Sequence, residues 1–348
     1  MEAGRISIGT RTTPSYERGG PFGFMRGIAP AVSGRVLRLV LSTLTVALFS
    51  TLLIFALAYF SPSNPAATKL GENATPQAIA HLNHVMGLDR GFFAQYFSWI
   101  GNAIHGDLGV SWFSGVPVGT SIKTGLPVDL SVTGVALVMA LLMGIPAGIV
   151  AGTRRGGFLD RGINAISSTA ITLPVFWIGM VLVIVFAVKA KWLPATGYVP
   201  PSAGLWPWLS HLLLPALPLV FVFFGYFARM TRTGTIDALA ADYTRTAILK
   251  GLPFRTVLLR HVLRNALLPT ITVATTQLGY MIGGLVVVES LFHYQGIGGL
   301  IFDAAKSKDF PLLEAGVLAI GVVYLLTNLL ADLLYGVLDP RLRDGGAR

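Results

Sequence analysis

The chain has 348 residues, 53% of them hydrophobic and only 12% charged, and its mean hydropathy is +0.68. Soluble domains carry about a quarter charged residues, so a soluble fold is excluded. The absence of cysteine excludes a disulfide framework and a thiolate metal site. The formal charge of +10 would suit a nucleic-acid binder, but the basic residues cluster in alternate connections between apolar runs, which is the pattern of membrane topology.

Six stretches contain no Asp, Glu, Lys or Arg: residues 39–68, 130–153, 162–188, 192–228, 265–288 and 315–331. A bilayer core of about 30 Å needs about 20 apolar residues in a helix, so five of these runs span unaided. The sixth reaches a spanning length by continuing past Asp332 to Leu338. With the N-terminus in the cytoplasm, nineteen of the 26 Lys and Arg residues fall on the inner side. The expectation is an all-α membrane protein of six transmembrane helices with both termini cytoplasmic. The first apolar run is too long for a signal peptide and reads as a retained helix.

Residues 1–34, rich in Gly, Arg, Ser and Pro, read as a disordered basic cytoplasmic tail. The first transmembrane helix, within 35–60, stops at Ser61-Pro62-Ser63-Asn64-Pro65. Residues 61–125 form an extracytoplasmic helical insert. In it, Thr75-Pro76 is a helix start and Gly87 a stop, with Ile79, Leu82 and Met86 between them at helical spacing. A second stripe, Phe93, Phe97, Ile100 and Ile104, is expected to pack on the neighbouring domain before Gly106-Asp107-Leu108-Gly109. Residues 126–338 then form a five-helix core. Its helices are expected at Leu126–Gly152, Ile163–Val188, Leu212–Met230 (kinked at Pro215 and Pro218), Ala266–Val288 and Leu312–Leu338. Trp192, Trp206 and Trp208 in the outer loop 189–210 suit the headgroup layer. Residues 339–348 form a cytoplasmic tail.

The inner connection 229–264 is long for a loop and has order signals. Asp242-Tyr243-Thr244-Arg245-Thr246-Ala247-Ile248-Leu249-Lys250 is helix-compatible; Gly251 supplies a left-handed cap and Pro253 forbids continuation. A second short helix from Pro253 carries Val257, Leu258, His261 and Val262 on one side. Two short helices joined at Gly251-Leu252-Pro253 make a knob with a net charge of +5 over the loop. Its chemistry fits a protein docking element and equally an interfacial helix on anionic lipid.

Several motifs carry a resemblance. Asp242-Tyr243-x-Arg245-Thr246-Ala247-x-x-Lys250-Gly251-Leu252, followed by Arg260-His261-x-Leu263-Arg264-Asn265-Ala266-Leu267-x-Pro269, resembles the cytoplasmic signature of the dipeptide/oligopeptide/nickel branch of bacterial ABC-importer permeases. Gly87-Leu88-Asp89-Arg90, Gln95-Tyr96-x-x-Trp99, Gly106-Asp107-Leu108-Gly109-x-Ser111, Val288-Glu289-x-x-Phe292 with Gly296-x-Gly298, and Asp339-Pro340-Arg341 extend it over about residues 35–345. Arg245-Thr246-Ala247 stands where the general motif begins Glu-Ala-Ala, and Pro62-Ser63-Asn64-Pro65 where the branch often has Pro-Gly-Asp-Pro.

The resemblance implies a type I ABC-importer permease that forms a heterodimer with a related permease subunit. It further implies two ATP-binding domains that bind ATP and Mg, an external solute-binding protein and surrounding membrane lipid, with no nucleic-acid partner. Asp242, Tyr243, Arg245, Thr246, Ala247, Lys250, Gly251 and Leu252 would then form the element coupled to the ATPase. The chain has no Gly-Lys dipeptide, hence no Walker A loop, no catalytic residues and no cofactor of its own.

Thr276 and Gln277, with Thr272 and Thr275 beside them, are candidates to line a path or to bond helices together. Glu289 is a candidate for the outer gate, and Asp332 for a relay or a boundary role. His81 and His84 have one-face spacing but no third ligand, so no metal site is expected. Gly283 and Gly284 are expected to permit close helix approach. A self-contained channel or secondary transporter would carry more intramembrane charge. An intramembrane enzyme would need converging groups, and neither His-Glu-x-x-His nor paired acids at membrane depth are evident.

Overall fold

The computed structural model describes residues 28–338 apart from 61–63 and 72–73, with side chains over 40–330 apart from 43 and 58. Two units divide the chain, Met1–Ser42 and Thr43–Arg348. The described part of the first is the opening of helix α1 (Ile28–Tyr59). The second holds the rest, helical throughout its described residues except for loops and one isolated bridge between Val110 and Pro117. The tails 1–27 and 339–348 lie outside the described residues.

The spans begin earlier and run longer than their apolar runs suggest. Helix α1 takes in Ile28–Gly34, with Pro30 in its first turn, where a missing N–H costs nothing. The insert follows with α2 (Pro65–Leu70), α3 (Pro76–Val85) and α4 (Phe92–Ile104). Helix α5 (Val118–Thr153) starts eight residues ahead of the expected Leu126. Lys123 and Thr124 disguise that start, and packing supplies it: Val118 and Val128 are buried, and Gly125 abuts the backbone of Gly296 and Ile297.

The run 162–188 is not one helix. It is α6 (Phe158–Thr172) and α7 (Val175–Leu182), the latter continued by a π-helical turn over Val183–Lys189, with a bend of 104° between the halves. Leu173 stands immediately before Pro174 and takes ψ 136°, the extended conformation that a following proline imposes.

Helix α8 (Leu205–Ala240) behaves oppositely, running unbroken through Pro215 and Pro218. Proline at 215 leaves the His211 carbonyl without its helical donor. The Tyr294 hydroxyl donates to that carbonyl at 2.5 Å. Burial pushes the Tyr294 phenol up, with Tyr198 adding to the effect, so the group stays a donor. After α8 come α9 (Asp242–Leu249), α10 (Phe254–Thr256), a π-helical turn over Val257–Val262, α11 (Leu263–Ala266), α12 (Leu268–Phe292), α13 (Ile297–Ser307) and α14 (Phe310–Leu338). Among the described residues, five helices are long and apolar enough to cross a membrane, or six if the bent pair is one span.

The pairing of α5 with α8 organises the core. Gly144, Gly148 and Gly152 form a stripe, and a Cβ on each would meet Phe227 at 2.9 Å, Thr231 at 2.5 Å and Thr235 at 2.7 Å. Small residues let two backbones approach where lipid gives no hydrophobic drive. Gly283 and Gly284 do not serve this way: a Cβ would meet nothing within 4 Å at the first and only Leu219, at 3.9 Å, at the second. Around the stripe, Val132, Ala136, Leu212, Leu219, Phe227, Met281 and Leu285 fill a buried cluster shared by α5, α8 and α12.

In the insert, Thr75 accepts from the Ala78 N–H at 3.2 Å and Gly87 takes φ +70°, as the start and stop signals require. The expected second stripe is one residue out of phase. Phe93 and Ile104 are 67% and 78% exposed, whereas Phe92, Tyr96 and Trp99 turn inward. Tyr96 decides the register: its hydroxyl donates to the Leu48 carbonyl at 3.0 Å and its ring meets Phe55. Ser111, which closes the Gly106-Asp107-Leu108-Gly109 motif, donates to Asp309, which also accepts from the Trp112 N–H at 3.1 Å. That motif therefore ties the insert to the start of α14.

Candidate functional site

Ala241 takes ψ 149° and ends α8, so α9 starts at an angle to it with Asp242 in the first turn, favourably placed for the helix dipole. Thr244 donates to the Ala238 carbonyl at 2.7 Å, satisfying one of the acceptors that the end of α8 leaves open. At the other end of α9, Gly251 has φ +75° and donates to Ile248 at 2.9 Å, while the Leu252 N–H reaches Ala247 at 3.4 Å. This pair of bonds is a Schellman closure. The sequence reading of Gly251 as a left-handed stop matches this geometry.

The signature residues divide by face. Ala247 is 5% exposed and packs with Ala238, Val257, Val262 and Ala266. Asp242, Tyr243, Arg245, Thr246, Lys250, Gly251 and Leu252 are exposed. So are Ile248, Phe254 and, at 82%, Leu249. So much apolar surface turned outward on a short helix makes this face a candidate contact surface. Val257 and Val262 are both fully buried five residues apart, the spacing that a π-helical turn aligns. The first twelve residues of the expected loop, 229–240, belong to α8 instead. Arg232 lies within α8 and makes a two-pronged bond to Asp160, at 2.5 and 2.9 Å, and Asp160 also accepts from the Gly156 N–H at 2.8 Å. This pair fastens the turn before α6 onto α8.

The candidate path residues separate. Thr276 and Gln277 line a cavity of about 480 Å³ together with Tyr226, Arg229, Met230, Thr233, Ile171 and Val273. Glu289 is far along the same helix. It is buried and accepts from the Gly299 N–H at 2.5 Å, while Asp129 accepts from the Ile297 N–H at 3.1 Å. Two carboxylates from two spanning helices thus cap α13. A Cβ at Gly296 would strike the Asp129 carboxylate and come within 2.5 Å of Glu289, which accounts for the glycine. Asp129 and Glu289 are thus a pair of acids that the sequence alone does not bring together. Asp129 stands one residue outside an uncharged run, and only the fold brings it to Glu289. The Asp332 side chain lies outside the described residues. His84 bonds Asp89 at 2.7 Å on the surface, and no group of three or more metal-binding side chains occurs among the described residues.

Residues 144–344 match the family described as binding-protein-dependent transport system inner membrane component, and residues 34–133 match its N-terminal family. The chain belongs to this family of ABC-importer permeases. Such a permease is a multi-pass protein of the bacterial plasma membrane, a component distinct from the ATPase, and works with ATPase and substrate-binding partners. A probable peptide ABC transporter permease protein y4tP of Sinorhizobium fredii is 36% identical, covering 88% of this chain and 98% of that protein. The dipeptide transport system permease protein DppB of Alkalihalophilus pseudofirmus is 33% identical over the same shares. The glutathione transport system permease protein GsiC of Escherichia coli is 34% identical, again over 88% and 98%. Among solved structures, an inward-facing MetNI methionine ABC transporter aligns with TM-score 0.52 and 15% identity, over 63% of this chain and 96% of its own. That likeness supports the permease fold.

Proposed function

We propose that this permease imports peptides, as half of a path completed by a related second permease, with the knob of α9 seated on an ATPase subunit in the cytoplasm. The observation that carries the coupling assignment is the split of α9 into a buried seat at Ala247 and an exposed face of Tyr243, Ile248, Leu249 and Leu252. The alternative of a helix lying on lipid fits less well, because α9 is clamped at both ends by Thr244 and the Gly251 closure rather than free to roll. The excess of basic residues on that side supports a cytoplasmic position for the knob and for both termini.

The knob is fixed to α8, which at 1.5 Å per residue is a lever about 54 Å long. Closure of the ATPases on ATP would move α9 and with it the rigid pair α5 and α8, a rigid-body form of alternating access. ATP and Mg belong to those partner subunits, and this chain contributes neither catalysis nor a cofactor.

Three relatives named for peptide, dipeptide and glutathione transport favour a peptide cargo. The cavity chemistry agrees: Arg229 suits a carboxylate, Gln277 and Thr276 suit amide groups, and Tyr226 offers a ring. Asp129 and Glu289, as the cap of α13, support the outer end of the path rather than lining it. Proteoliposomes holding both permeases, the ATPases and the binding protein should accumulate labelled di- or tripeptides only with ATP. Accumulation of no peptide would overturn the cargo; uptake through this chain alone would overturn the importer assignment.

A further inference from the structure

A second cavity, of about 540 Å³, lies where the insert meets the end of α1 and the start of α14. Three buried polar atoms on its lining residues have no partner among the described residues: Glu314 Oε1, Asn83 Oδ1 and Trp99 Nε1. Glu314 is 2% exposed. A buried carboxylate oxygen without a donor is costly, so an unfilled one marks a place where a partner belongs. Arg90 also lines the cavity, yet makes no ion pair with Glu314 among the described residues.

We propose that this cavity binds a small zwitterion bearing a primary ammonium beside an oxyanion. Glu314 and Asn83 supply two acceptors for the ammonium, and the side chains of Phe55 and Trp112 line the same space. Trp99 N–H and Arg90 supply donors for the oxyanion. The volume falls within the range of small-molecule sites. Two sources carry this chemistry: an ethanolamine phosphate headgroup and a free peptide. The site does not rest on the transport reading, since its residues are apart from both the knob and the cavity of Gln277.

The test is equilibrium dialysis of the purified, delipidated full-length chain against glycerophosphoethanolamine, glycylglycine and the N-acetyl form of each. At least one free-amine probe should bind saturably at one per chain, and the tighter of the two identifies the source. N-acetylation should weaken binding at least tenfold, Glu314→Gln should do the same, and Trp99→Phe, which keeps the ring and loses the N–H, should weaken it severalfold. Saturable binding of neither free-amine probe overturns the site, as does equal binding by a folded Glu314→Gln chain. Should that variant fail to fold, the N-acetyl comparison on the unaltered chain decides.

Discussion

Gly251 holds φ +75° with nothing within 4 Å of where a Cβ would stand, so the position resists side chains by conformation alone. An L-residue in the left-handed region costs about 1–2 kcal/mol, and asparagine tolerates it best. Substrate-stimulated ATP hydrolysis by the assembled transporter should therefore fall in the order Asn, Ala, Val at this position, with membrane insertion unchanged in all three. Full activity in Gly251→Val would separate the closure from coupling. Tyr294 makes a different argument. Its hydroxyl serves a carbonyl that Pro215 leaves open, so Tyr294→Phe removes the donor and keeps the ring. The expected loss is about 1–3 kcal/mol of stability, read as a lower thermal midpoint in detergent. A midpoint equal to that of the unaltered chain would mean the bond contributes nothing.

At the scale of elements, α9 separates seating from contact. Ala247 is packed among Ala238, Val257, Val262 and Ala266, so Ala247→Leu overfills the seat, at a cost of about 1–3 kcal/mol. Leu249→Ala, on the exposed face, should leave the thermal midpoint unchanged and still lower coupled ATP hydrolysis. Loss of stability in the second variant, or none in the first, would reverse the assignment of faces. The local signals that the sequence carried well were those with a backbone cause: the Thr75 cap, the Gly87 stop and the Gly251 closure. Proline was the divided case. Pro174 breaks its helix through the residue before it, whereas Pro215 and Pro218 sit inside the unbroken α8, where a distant tyrosine repays the carbonyl left by Pro215. No local rule reveals that repayment.

Across the whole molecule, the apolar runs locate the spans, and the order of the motifs alone points to the permease family. What stayed hidden depends on contacts between residues far apart in sequence. Asp129 meets Glu289 through the α13 cap, Asp160 meets Arg232 across a turn, and the Gly144, Gly148 and Gly152 stripe acquires meaning only beside Thr231 and Thr235. The phase of α4 is hidden for the same reason, since Tyr96 is drawn inward by α1. The glycine stripe packs α5 closely on α8, the helix from which the knob extends, as the proposed coupling requires.

The chain has no native cysteine, so Leu249→Cys can carry a single maleimide-benzophenone probe into the assembled importer, with Leu142→Cys on the exposed flank of α5 as the control. Photolysis should join an ATPase subunit to the probe at 249 and not to the probe at 142. If the probe at 249 captures only lipid, or nothing, in a complex that still hydrolyses ATP, the coupling role of α9 is contradicted.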